Sequence, residues 1–169
     1  MRGVADALTK QPNLALAIAS KKKTEAILMN QILRKSNHKV YLRIYKLEWT
    51  TKYRYDAFRQ LKYKNLAEAC IRRAAYRHGI KFISLSVMPD HVHSIANLPK
   101  GMQEEKALQI LKGCSAYYFF KNAEKFRLRY PQGHLWAKNG TIISTGYSDL
   151  QTAINYVEKQ AEHHGVAFT

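Results

Sequence analysis

The 169-residue chain has only two cysteines, Cys70 and Cys114, widely separated and without CxxC spacing. This scarcity excludes a disulfide framework and a cysteine-built zinc site, and it fits a reducing compartment. Both thiols fall on the apolar stripes of predicted helices and are read as small core residues. Long hydrophobic runs are missing too: nothing approaches the roughly 18 apolar residues of a membrane-spanning helix. The apolar run at residues 14–19 is too short for a signal h-region, and Lys21, Lys22 and Lys23 follow it instead of preceding it. No long basic amphipathic helix with a bulky apolar face is found, which argues against a membrane surface as partner. The expected location is the cytoplasm. Internal repeats and low-complexity segments are absent, which argues against a repeat array or a disordered polymer.

Acidic residues are the last scarcity, with 12 Asp+Glu against 28 Lys+Arg and a formal charge of +16. Such an excess attracts polyanions, of which nucleic acid is the usual one. With 46% apolar and 11% aromatic residues, the chain has material for a sizeable core and the length of one domain.

Residues 1–37 differ in character from the rest and are read as an N-terminal extension of unreadable role, with a helix expected over residues 24–34. A domain is expected over 38–169. Residues 40–49, β-branched and aromatic, predict a first strand, followed by a basic loop at 50–55. Two rows at four-residue spacing, Leu66/Cys70/Ala74 and Ala67/Ile71/Ala75, predict a helix over 57–78 ending at Gly79. Ile83, Leu85 and Val87 alternate in a second strand over 80–88, Pro89-Asp90 supplies a turn, and 91–98 reads as a third strand. Ala107, Leu111, Cys114 and Tyr118 mark a second long helix. Residues 134–145 read as extended chain turned at Asn139-Gly140. The last helix is expected to start at a capping box, Ser148 with Gln151, aided by Asp149, and to end near His164-Gly165. The order β-α-β-β-α-β-α matches an α+β, ferredoxin-like (RRM-like) antiparallel sheet with helices on one face and an added C-terminal helix.

Two residues apart on a strand, His91 and His93 project from one face, so both imidazoles can reach one ion. Taken alone, this pair reads as readily as surface or core histidines. On the last helix Tyr156 and Gln160 are four apart and share a face, whereas Leu150, Ile154, Val157 and Ala161 form a separate apolar stripe. Tyr156 is thus not a core residue of its own helix.

At this point the sequence resembles a known family: the single-tyrosine HUH transposases of simple insertion sequences, the TnpA or IS200-like type. The resemblance spans about His38 to His163 and is carried by LEWTTKYR (47–54), VMPDHVH (87–93), GHLWAKNGTIISTG (133–146) and YVEKQ (156–160). It implies that His91, His93 and Gln160 hold a divalent ion and that Tyr156 is the nucleophile that cuts and rejoins single-stranded DNA through a 5′-phosphotyrosine. It also implies hairpin ligands at the ends of an element, and a homodimer whose active sites are shared between chains, with Gly146 placed as the hinge of a swapped helix. Asn139-Gly140-Thr141 departs from the bulky aromatic that relatives often carry there, and residues 1–37 match nothing in the family.

The chemistry is reasonable in its own right. A tyrosine hydroxyl has an unperturbed pKa of about 10, so attack on a phosphodiester needs help with proton loss or with the phosphate's charge. A divalent ion supplies the latter, and two imidazoles plus an amide oxygen suit Mn²⁺, or Mg²⁺ with added oxygens. For substrate, residues 39–64 interleave eight Lys/Arg with Tyr41, Tyr45, Trp49, Tyr53, Tyr55 and Tyr63, a combination suited to tracking phosphates and stacking unpaired bases. Lys52, Tyr53 and Arg54, in the loop, are the expected DNA contacts, and Tyr41 and Tyr45 are expected to be structural. Two rival readings remain at this stage: a non-catalytic or domesticated single-stranded nucleic-acid-binding protein on the same sheet that no longer moves DNA, and a metal-dependent phosphodiesterase that leaves Tyr156 idle.

Overall fold

A computed structural model describes residues 34–36, 39–41, 43–130, 132–145, 150–163 and 165–169, the first two segments and a few helix positions by backbone alone. The chain divides into two units after Leu42, where the sequence reading set the boundary after residue 37. In the first unit, β1 (Arg34–Ser36) and β2 (Lys39–Tyr41) pair antiparallel. The expected first strand is therefore split: Val40 and Tyr41 belong to this ribbon, and the strand of the main sheet begins at Ile44. The helix expected over 24–34 lies outside the described residues, apart from Arg34 in β1.

The second unit carries β3 (Ile44–Thr51), α1 (Leu61–Arg77), β4 (Lys81–Val87), β5 (His91–Asn97), α2 (Glu104–Asn122), β6 (Trp136–Ser144) and α3 (Leu150–Glu158), followed by the short α4 (Gln160–His163). Its four strands are antiparallel in the order β4-β5-β3-β6. This is the α+β sheet that the sequence order predicts. The first helix starts at Leu61, four residues inside its expected start, because Ala57 and Phe58 are buried in the preceding turn.

Helix α1 ends as Gly79 suggests. Gly79 takes φ +67°, its N–H donates to the Tyr76 carbonyl, and Ile80 N–H donates to the Ala75 carbonyl. This is a Schellman closure with Ile80 buried against the core. Small side chains on the inner face, Ala67, Ala74 and Ala75, let α1 lie against α2 and β4. Leu47, Trp49, Val92 and Ala96 from the sheet join Ile71, Leu111 and Phe119 in one core. Each such large apolar side chain contributes about 1.5–3 kcal/mol on burial. Cys70 is buried there and Cys114 packs partly buried against it, as read from the stripes.

Two local expectations are corrected. Pairing of β4 with β5 slips between Phe82 and Ser84, so Phe82, not Ile83, joins Leu85 and Val87 on the core side. Asn139-Gly140 forms no turn: both lie inside β6, with Gly140 opposite Trp49. A Cβ on Gly140 would stand 2.8 Å from both the Glu48 carbonyl oxygen and Leu108 Cδ2, so the glycine serves a close approach.

Side chains alternate across β5. Val92 and Ala96 face α1 and α2, and His91, His93 and Ile95 face the opposite side. There α3 packs on β4 and β5 through Leu150, Ile154 and Val157, all buried. The side chain of Ala161 and the capping residues Ser148 and Asp149 lie outside the described residues, as does the expected hinge Gly146. The last helical segment ends at His163, next to the expected His164-Gly165 end, with Gly165 at φ +57°. The helix is not one piece, however: it breaks at Lys159 and resumes for one turn from Gln160.

Candidate active site

Antiparallel pairing of β3 and β5 sets Glu48 opposite His93 and Thr50 opposite His91. His93 Nδ1 lies 2.8 Å from Glu48 Oε1, and that oxygen is 2.6 Å from Lys46 Nζ. His91 Nδ1 is hydrogen-bonded to Asp90 Oδ1, and the other Asp90 oxygen pairs with Arg54 Nη2 at 2.9 Å. Both imidazoles are thus held by carboxylates through Nδ1, which fixes tautomer and ring orientation and leaves Nε2 as the ligating nitrogen of either ring. Their ring centroids are 4.8 Å apart and nearly perpendicular.

The electrostatics agree with this arrangement. Burial, the largest influence on His93, holds it below its ordinary pKa, and the attraction of Glu48 only partly offsets this. Burial alone would raise Glu48, but Lys46 and His93 together outweigh it and keep the carboxyl below its usual range. Asp90 is lowered in the same way, burial being outweighed by His91 and Arg54. His93 is therefore a neutral imidazole donating to an ionised carboxylate, the form in which it binds metal.

Tyr156 comes from α3 onto this face. Its ring stands edge-on to His93, centroids 6.0 Å apart, with Lys46 Nζ 4.3 Å from the ring centroid. The side chain is half-exposed in a cavity of 480 Å³ that Glu48, Arg54, His91, His93 and Asn139 also line. A larger cavity of 680 Å³ lies between α2 and the start of β6, but it holds none of these groups.

Gln160 is placed differently. It is 1% exposed, does not line the cavity, and its amide nitrogen donates to the Tyr156 backbone carbonyl at 3.1 Å. The i, i+4 relation read from sequence thus links the two residues through the backbone. Among the described residues, no cluster of three or more His, Cys, Asp or Glu side chains could hold a metal. With Nδ1 of each ring held by a carboxylate, the two histidines fit an ion through Nε2, and the amide is the one member of the expected set standing outside the cavity lining.

The expected DNA contacts separate. Lys52, Tyr53 and Arg54 form a 3-10 turn after β3, with Tyr53 and Arg54 in the left-handed region at φ 61° and 53°. Arg54 faces the histidines through Asp90, whereas Lys52 and Tyr53 line a neighbouring cleft with Tyr55, Arg129 and Tyr130. Tyr45 packs partly buried against the core, as expected, and the Tyr41 side chain lies outside the described residues. Sequence reasoning missed the roles of Lys46, Glu48 and Asp90. Asp90 adjoins His91 and was legible as a candidate holder; Glu48 is 45 residues from His93 and becomes visible only through strand register.

Solved structures define the class by fold. A transposase from Deinococcus radiodurans superposes with a TM-score of 0.60 at 26% identity, covering 76% of this chain and 98% of its own. A REP-associated tyrosine transposase, solved bound to a REP hairpin, gives a TM-score of 0.54 at 14% identity, covering 79% of this chain and 76% of its own, and supports the fold alone. The fold is that of the tyrosine transposases. Residues 39–160 match the family described as "Transposase IS200 like", and the chain belongs to that family. It is also similar to the ISDra2 transposase TnpA of Deinococcus radiodurans, 27% identical over 128 residues, or 76% of this chain and 91% of that protein. Among the described residues, no helix is long and apolar enough to cross a membrane.

Proposed function

We propose that this transposase cleaves and rejoins single-stranded DNA at the ends of an insertion sequence, with Tyr156 as nucleophile. The observation that carries this reading is the Tyr156 ring set edge-on to His93, 6.0 Å between centroids, in the cavity that His91 also lines. The phenol oxygen attacks the scissile phosphorus, the P–O3′ bond breaks, and the upstream strand leaves as a 3′-hydroxyl. The downstream strand stays on the enzyme as a 5′-phosphotyrosine. Attack by a second 3′-hydroxyl reverses the step, and the phosphotyrosine conserves the bond energy in between.

His91 and His93 are the proposed ligands of one Mg²⁺ or Mn²⁺, and the Gln160 amide, bonded to the Tyr156 carbonyl, would have to leave that bond and turn toward the cavity to complete the set. Such an ion supplies charge neutralisation at the phosphate. Glu48 and Asp90 keep both imidazoles in register, and Lys46 fixes the tyrosine ring while adding positive potential where the phosphate must enter. Lys52, Tyr53 and Arg54 are the proposed contacts to the single strand. Hairpins at the element ends are the proposed ligands, by analogy with the hairpin bound to the REP-associated relative.

A homodimer is part of the proposal, with β6, an edge strand of the four-stranded sheet among the described residues, as the edge to which a second copy would add. Within the chain described, Tyr156 meets His93 of its own chain. Sharing of sites between chains would require the tyrosine helix to make the same contacts on the partner. The reading is tested by incubating the protein with Mn²⁺ and single-stranded DNA from the flanks of its gene and looking for a protein–DNA adduct on a denaturing gel.

A further inference from the structure

Beside the histidine cavity, on the far side of the same turn, lies a separate cleft of 270 Å³ lined by Lys52, Tyr53, Tyr55, Arg129, Tyr130 and His134. Its rings form a ladder: Tyr53 to Tyr55 is 5.4 Å and Tyr55 to Tyr130 is 5.9 Å between centroids. Lys52 Nζ lies 5.0 Å from the Tyr53 centroid, and no acidic side chain lines the cleft.

Three features are unexplained by folding. Tyr53 is 64% exposed and Tyr55 47%, so large rings are offered to solvent where burial would have stabilised the domain. Tyr53 and Arg54 both hold positive φ without being glycine, a conformation that costs on the order of 1–3 kcal/mol per residue. The strained turn is clamped all the same: Thr51 N–H donates to the Asp90 carbonyl, Lys52 N–H to the Leu135 carbonyl, and Thr51 Oγ1 to the Tyr55 carbonyl. Finally, Tyr130 is 2% exposed and its buried hydroxyl has no hydrogen-bond partner among the described residues, a costly state for a polar group. Burial pushes that hydroxyl's pKa up to about 12, so it stays protonated and able to donate.

We propose that this cleft captures one unpaired nucleobase of single-stranded DNA flanking the scissile phosphate, stacked on Tyr53 and Tyr55 and hydrogen-bonded at its edge by Tyr130, with Lys52 and Arg129 on the adjoining phosphate. The inference rests on the proposed action on single-stranded DNA. It adds a base subsite separate from the Tyr156 cavity and splits the Lys52–Arg54 turn into two jobs. Strain at Tyr53 and Arg54 serves to send neighbouring side chains in opposite directions, Arg54 toward Asp90 and the histidines, Tyr53 toward the base.

The test uses the full chain and a random-sequence single-stranded oligonucleotide pool with 5-iododeoxyuridine in place of thymidine, cross-linked by light and mapped by peptide mass spectrometry. Cross-links are expected at Tyr53 or Tyr55. Tyr53→Ala should weaken binding of the same pool about tenfold, the usual scale for one lost base–aromatic stack, whereas Tyr53→Phe should keep it. Tyr130→Phe should weaken binding while thermal stability holds or rises, because an unpartnered buried hydroxyl has been removed. Cross-links confined to other residues, with Tyr53→Ala and Tyr130→Phe binding as the parent does, would overturn the subsite. That result alongside a normal Tyr156 adduct would leave the proposed function standing. Cross-links in the cleft from a protein that never forms an adduct would support the subsite and reject the strand-transfer reading.

Discussion

Glu48 and His93 face each other across the β3–β5 ladder, and the Glu48 carboxylate holds the imidazole by its Nδ1 at 2.8 Å. A carboxylate in this position orients the ring and raises the basicity of the ligating nitrogen. Glu48→Gln keeps the shape but gives up the charge, and it leaves Lys46 without its partner. Removing such a support typically costs about 10–100-fold in metal affinity, and a loss of that size is expected in calorimetric titration with Mn²⁺. Unchanged affinity would show that the Glu48 carboxylate does not support His93 as a metal ligand.

Acid should act in two stages. His93 is held below its ordinary pKa by burial, so the folded chain binds fewer protons than the unfolded one. Stability is therefore lost as pH falls below the unfolded value of about 6.5 toward the folded pKa. Glu48 and Asp90, both lowered, contribute stability that is present above their unfolded values and lost as pH falls through their folded ones, on the order of pH 4 and below. Thermal unfolding across this range, without metal, should decline in both windows. His93→Asn should flatten the upper one, and an upper decline of full size in that variant would contradict the assignment.

Much of this fold can be read from residue periodicity, because the α1 rows, the β5 alternation and the Leu150/Ile154/Val157 stripe each report one buried face. What escapes is whatever depends on a partner segment. The Asn139-Gly140 pair carries the signature of a hairpin turn, yet Gly140 is needed for the approach of the Glu48 carbonyl and Leu108. The slip at Phe82–Ser84 is a property of pairing that no single strand displays. In the site, His91, His93 and Tyr156 announce themselves by spacing and motif, whereas Glu48 and Lys46 look like ordinary members of a charged strand until register sets one against His93 and the other over Tyr156. Gln160 shares a helical row with Tyr156, but the break at Lys159 changes what that spacing means.

The placement of Tyr156 against His93 of the same chain makes a prediction about mixed dimers. Co-assembled His91→Ala and Tyr156→Phe chains each lack one half of a site built within one chain, so the mixture is expected to remain inactive. Recovery of cleavage in confirmed heterodimers would show that the tyrosine helix crosses to the partner.

The central claim is covalent chemistry at one hydroxyl, and Tyr156→Phe removes that oxygen alone from a half-exposed ring. Incubation of parent and variant with Mn²⁺ and end-labelled single-stranded DNA from the gene's flanks, followed by denaturing electrophoresis and peptide mapping, reads it directly. The account predicts an adduct for the parent, mapped to Tyr156 through a 5′-phosphate, and for Tyr156→Phe a folded protein that binds the same DNA without forming any adduct. A parent protein that cuts the strand and releases both ends free, or a Tyr156→Phe variant that cuts equally well, would contradict it.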